Sequence, residues 1–158
     1  MGGLFLALEQ SGLGAAMRES SFLYPLANVL HIVGLVCFAG AIAIMDARLM
    51  GAFEALPLRS FVSRWRKVAM AAFAVQIVSG FMLFSAEASA IIDNPVFQLK
   101  LLLIAIGLGN VVVFELVTKP GIAGWQGGQP PMIAKISGAV SLLAWIAVAA
   151  AGRLIAYF

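Results

Sequence analysis

FLYPLANVLHIVGLVCFAGAIAIM, residues Phe22–Met45, decides the fold. Coiled as an α-helix at about 1.5 Å per residue, it is long enough to cross a hydrocarbon layer about 30 Å thick. It contains no Asp, Glu, Lys or Arg, and its one imidazole is His31. Pro25 falls in the opening turn, where a missing N–H does little harm. Working outward, three further stretches have the same character, so that spans are expected over about 22–45, 68–84, 96–117 and 136–155. Asp93 or Asn94 is placed to cap the third, just before Pro95. The glycines and prolines of TKPGIAGWQGGQPP, Thr118–Pro131, break the chain between the third and the fourth.

The composition agrees. Hydrophobic residues make up 63% of the chain and charged residues 11%, with a mean hydropathy of +1.04. A soluble domain carries about 25% charged residues, so the solvent around these helices is lipid. The expected fold class is all-α: an integral membrane four-helix bundle, one transmembrane domain over residues 1–158. Nucleic acid is excluded as a partner, because no basic stripe interleaved with aromatics is present. Cys37, the single cysteine, cannot form an internal disulfide and is expected as a small core residue. The opening MGGLFLALEQSGLGAAMRES has no basic leader and is interrupted by Glu9 and Gln10. It reads as a short interfacial helix with Leu4, Phe5, Leu8 and Leu13 facing the acyl chains.

Charge sets the expected orientation. Arg48, Arg59, Arg64, Arg66, Lys67, Lys119 and Lys135 fall on one side, and Arg18, Lys100 and Arg153 on the other. The excess of basic residues belongs in the cytoplasm, which puts both termini outside. Tyr24 and Tyr157 then mark the outer interface, Trp65 and Trp125 the inner one. In the fourth span Ser137, Ser141, Ala144, Ala147 and Ala151 recur at helical steps and suit close packing in lipid. A faint repeat links His31, Gly40 and Asp46 to Lys100, Gly109 and Glu115, at the same spacing in the first and third spans.

Ionisable groups at membrane depth are costly, so function is sought there. His31 is expected roughly 13 Å into the layer and Gln76 roughly 12 Å from the same face, by helix rise. Ser79 and Asn28 lie one turn outward of them, with Lys100 and Arg153 above, toward the headgroups. These six are candidates for one outer pocket, and His31, Gln76, Lys100 and Arg153 are its expected cofactor-binding residues. One reading of His31 is an imidazole hydrogen-bonded to Gln76 or to a backbone carbonyl, which joins two helices. The other is a ligand to haem iron, with Lys100 and Arg153 holding the propionates. With one histidine, bis-histidine ligation within the chain is impossible. Met45, Met70, Met82 and Met132 are too scattered for a copper(I) site. Asp46 and Arg48, with Glu115, are expected as interfacial ion pairs. No P-loop, zinc spacing or G-x-S-x-G is present.

Leu30–Leu35 (LHIVGL), Asp46–Leu49 (DARL), Asn94–Lys100 (NPVFQLK) and Ala151–Tyr157 (AGRLIAY) together resemble a family of small uncharacterised bacterial inner-membrane proteins, over essentially the whole chain. The plan is more distantly similar to copper-resistance D-type proteins and to haem-binding protoporphyrinogen-oxidase-like proteins. The resemblance implies the bacterial inner membrane and draws attention to His31, Lys100 and Arg153. The haem-binding relatives carry a second histidine that this chain lacks. Three functions follow as expectations: a cofactor-binding or accessory subunit of a membrane redox complex, a transporter component for copper or a small solute, and, least supported, an enzyme. Haem b is the cofactor to look for. The bilayer, a membrane-protein partner or a second copy of the chain are the expected partners.

Overall fold

The computed structural model describes residues 2–118, 121 and 129–158. These form α1 (Gly2–Glu9), α2 (Gly12–Glu19), α3 (Leu23–Leu49), α4 (Leu58–Ala86), α5 (Ala88–Ile91), α6 (Pro95–Val113) and α7 (Met132–Leu154). A π-helical turn, Phe114–Thr118, prolongs α6, and a 3-10 turn, Ile155–Tyr157, prolongs α7.

The helix ends follow from local chemistry. Ser20 Oγ accepts hydrogen bonds from the Phe22 and Leu23 N–H groups at 3.3 and 3.1 Å, satisfying donors that α3 leaves free. Asn94 Oδ1 does the same for Val96 and Phe97 at 2.9 and 3.1 Å, and Pro95 follows it as the first helical residue. At its far end α3 closes with the Ala52 N–H on the Ala47 carbonyl and the Gly51 N–H on the Arg48 carbonyl. Gly51 has φ +109°, the left-handed position this closure requires.

Four helices are long and apolar enough to cross a membrane: Leu23–Leu49, Leu58–Ala86, Pro95–Val117 and Met132–Tyr157. In their most apolar windows no more than 28% of residues are buried by the rest of the protein. A sheath so apolar is stable only in lipid, and the chain is a multi-span membrane protein. At 29 residues α4 is longer than a bilayer core is thick. The helix starts ten residues before the apolar stretch at Val68, so its first turns carry Arg59, Arg64, Arg66 and Lys67 at what is here termed the basic end. Both chain termini lie at the opposite, terminal end.

α3 packs along α4 and α7, and α6 packs along α7. α4 and α6 have no comparable contact, so the helices run α4–α3–α7–α6 around the bundle with one seam open. That seam is pinned near each end. Phe84 stacks on Phe97 with centroids 5.3 Å apart, and Arg66 pairs with Glu115 at 2.9 Å. The core centres on Phe38, Ala41, Ile42, Ala69, Ala72, Trp145 and Val148. Ser137, Ser141, Ala144 and Ala151 of α7 are buried, whereas Ala147 is only half-buried, because Trp145 and Val148 take the facing positions.

The N-terminal segment is two helices, not one. Ser11 breaks it, capping α2 through the Gly14 N–H and donating its own proton to the Leu8 carbonyl at 2.6 Å. The break turns Phe5 inward, edge-on to Phe84 at 6.0 Å, and half-buries Leu8, while Leu4 and Leu13 stay exposed. Arg18 donates to the Glu9 and Ala86 carbonyls at 2.7 and 3.0 Å, and the Glu9 carboxylate accepts from both the N–H and the hydroxyl of Ser89. The pair is thereby clasped to the α4–α5 turn. Cys37 is exposed on the outer face of α3 and not in the core, since Gly34 and Phe38 occupy the buried face. Trp65 is half-buried beside Phe61 near the basic end; Trp125 and Lys119 lie outside the described residues.

Candidate functional site

Two cavities occupy the open seam. The larger, about 520 Å³, is lined by His31, Gln76 and Lys100 among aromatic side chains that include Phe84, Phe97 and Phe5. The smaller, about 200 Å³, lies toward the basic end and is lined by Asp46, Asn110, Ser137, Ser141 and the Arg66–Glu115 pair. Phe38, Phe73 and Trp145 line both. Their rings meet at 4.6–5.7 Å between centroids and form a partition between the two spaces.

The histidine cavity is built from the α3–α4 crossing upward. A Cβ on Gly34 would stand 3.1 Å from Gln76 Nε2, and one on Gly80 would stand 3.1 Å from His31 Cε1. Glycine at these two positions lets each polar side chain reach the facing helix. Gln76 Nε2 then donates to the His31 backbone carbonyl, and His31 Nδ1 lies 2.9 Å from Ser79 Oγ. The Ser79 hydroxyl donates its one proton to the Val75 carbonyl at 2.6 Å, so toward His31 it can only accept. The imidazole therefore carries its proton on Nδ1 and presents the lone pair of Nε2, which has no partner among the described residues. Lys100 reaches across from α6 toward α7, its Nζ 3.3 Å from where a Gly152 Cβ would stand. The wall thus offers one strong acceptor and one cation within an otherwise apolar space.

Of the expected pocket residues, His31, Gln76 and Lys100 meet on this cavity and Ser79 sits directly behind His31. Arg153 and Asn28 do not join them. Arg153 is exposed and donates to the Tyr157 hydroxyl at 2.6 Å, with its guanidinium 4.8 Å from that ring. Asn28 is exposed on the outer face of α3. Both lie on sides of their helices that do not face the cavity. The expected Asp46–Arg48–Glu115 ion pairs rearrange as well. Glu115 pairs with Arg66, Arg48 is buried with Nε and Nη2 on the Leu56 carbonyl, and Asp46 is buried against Ser141. Asn110 joins α6 to α7, donating to the Ser137 carbonyl at 2.9 Å and accepting from its hydroxyl at 3.1 Å.

The profile of DUF6644, a family of unknown function, matches residues 5–158. The chain belongs to that family. The match takes in all four spans and every residue that lines either cavity, so both cavities of this chain fall within the matched range. No curated protein and no solved structure matches the chain. Chemistry at the cavities must therefore be argued from their own geometry. The aromatic partition and the burial of Asp46 are the features that the sequence reading missed. A signal was present in Asp46, which falls at the spacing from His31 that separates Glu115 from Lys100; both later residues also line the same two cavities.

Proposed function

We propose that this DUF6644 member is a binding or accessory subunit of the bacterial inner membrane, with both termini outside, that holds a flat, largely apolar redox cofactor in the histidine cavity. The observation that carries this reading is the unpartnered Nε2 lone pair of His31 on an aromatic-walled space of about 520 Å³, with Lys100 on the same wall. Volumes of about 300–1,000 Å³ with few convergent polar groups are typical of cofactor sites. For haem b, His31 Nε2 suits the iron and Lys100 suits a propionate. Among the described lining residues there is no second histidine, methionine or cysteine, so His31 is the side chain that would hold the iron. A quinone fits the same wall, its hydroxyl form donating to His31 Nε2 and its carbonyl accepting from Lys100.

The test is the absorption spectrum of protein purified from membranes, with mass spectrometry of an organic extract. A Soret band lost in His31→Ala supports haem, and a retained quinone lost in the same variant supports quinone. If neither copurifies, and neither binds when added, the reading fails. A solute carrier is the second reading, favoured by the two cavities lying in line across the bundle. It requires Phe38, Phe73 and Trp145 to part, and proteoliposome flux that stops when they are cross-linked would support it.

A further inference from the structure

We propose that the smaller cavity is a second binding site, for a small organic ammonium ion, with Asp46 as its counter-charge. Asp46 is 1% exposed and lines this cavity. It lies against Ser141, and its Oδ2 has no hydrogen-bond partner among the described residues. A carboxylate oxygen left bare at membrane depth is costly unless something supplies a donor or a positive charge. Two arginines nearby have partners of their own: Arg48 Nε and Nη2 bond to the Leu56 carbonyl, and Arg66 pairs with Glu115. Asp46 also lies in the last turn of α3, where the helix carbonyls add negative potential. Phe38, Phe73 and Trp145 line one side of the cavity, and aromatic rings are favourable neighbours for a cation. The volume of about 200 Å³ exceeds the roughly 150 Å³ cavity that accepts benzene. A one-ring amine is therefore the size that fits. The site is independent of the histidine cavity and stands or falls without it.

The test uses the full chain in lipid nanodiscs, titrated calorimetrically with benzylammonium and, as neutral comparator, benzyl alcohol, against empty nanodiscs. Wild type is expected to bind benzylammonium saturably and at least about tenfold more tightly than the alcohol, the factor expected for one charge-assisted contact. Asp46→Asn should abolish that preference, and Asp93→Asn, at an exposed carboxylate of the terminal end, should keep it. Met70→Trp fills the mouth of the cavity from an exposed position without touching Asp46, and should block both probes. Absence of saturable benzylammonium binding to wild type overturns the proposal, as does a preference that survives in Asp46→Asn. Should Asp46→Asn fail to fold, a preference retained in folded Met70→Trp overturns it equally.

Discussion

Ser79 controls the chemistry of His31 although it touches no cavity. Because its proton goes to the Val75 carbonyl, it fixes which imidazole nitrogen faces the open space. Gly80 controls the ring's position. In Gly80→Ala the new methyl would stand 3.1 Å from Cε1, so the ring must give by a few tenths of an ångström. If the proposed cofactor binds at His31, the expected result is a folded protein whose affinity for it falls at least about tenfold, the scale of losses when a ligand's support is disturbed, read by spectral titration. Gln76→Leu removes the donor to the His31 carbonyl and should lower stability by about 0.6 kcal/mol, at most about 1.7, in a reversible unfolding titration in mixed micelles. That His31 and Gln76 meet at one level of the bundle was legible in the sequence, since it follows from counting residues along antiparallel helices. Direction around the helix was not. Spans that are apolar on every side give no stripe to orient them; only α7 carried one, in Ser137, Ser141, Ala144 and Ala151, and at about 100° per residue it turns Arg153 about 200° from Ala151. Asn28 and Cys37 were misjudged for want of a stripe, and Arg153 although the stripe pointed away from it.

Among the elements, the clasp formed by α1 and α2 makes a pH-dependent contact. Glu9 accepts two hydrogen bonds from Ser89, the hydroxyl's being the larger influence, and they hold its carboxyl below its ordinary pKa. A depressed folded value means that the contact contributes fully above the ordinary carboxylate pKa of about 4.3, and is lost as pH falls through the lower folded value. A nitroxide placed at Leu4, with Cys37 replaced by serine, should report rising mobility below about pH 4. In Glu9→Gln, whose amide oxygen still accepts from Ser89 but does not titrate, the label's mobility should not change with pH; an acid response like the wild type's in that variant would refute the role of the carboxylate. The start of α6 was legible from Asn94–Pro95, because cap and proline are both local signals. The Ser11 break was hidden by the glycines around it, and the early start of α4 by its arginines. Hydropathy marks where a helix enters lipid, not where it begins to coil.

For the whole molecule, the seven-to-three division of basic residues predicts both termini outside. A reporter fused after Phe158 should be active on the outer side and one at Gly127, beyond the described residues, on the inner side; the reverse pattern would reject the orientation. The repeat seen at His31/Asp46 and Lys100/Glu115 equates α3 with α6 and α4 with α7. Under that equivalence the tight α3–α7 seam has α4–α6 as its counterpart, and only the first is closed. The open one gives onto hydrocarbon sideways. A guest entering there leaves oil for an oil-like wall, so contact with Phe84 or Phe97 confers shape selection but almost none of the affinity that the same contact would give in water. Discrimination among guests then falls to two polar groups, His31 Nε2 and Lys100 Nζ, and occupancy follows the guest's mole fraction in the bilayer. A dissociation constant for this protein has meaning only per lipid, and diluting the protein in excess detergent should empty it even when no bond to His31 has weakened.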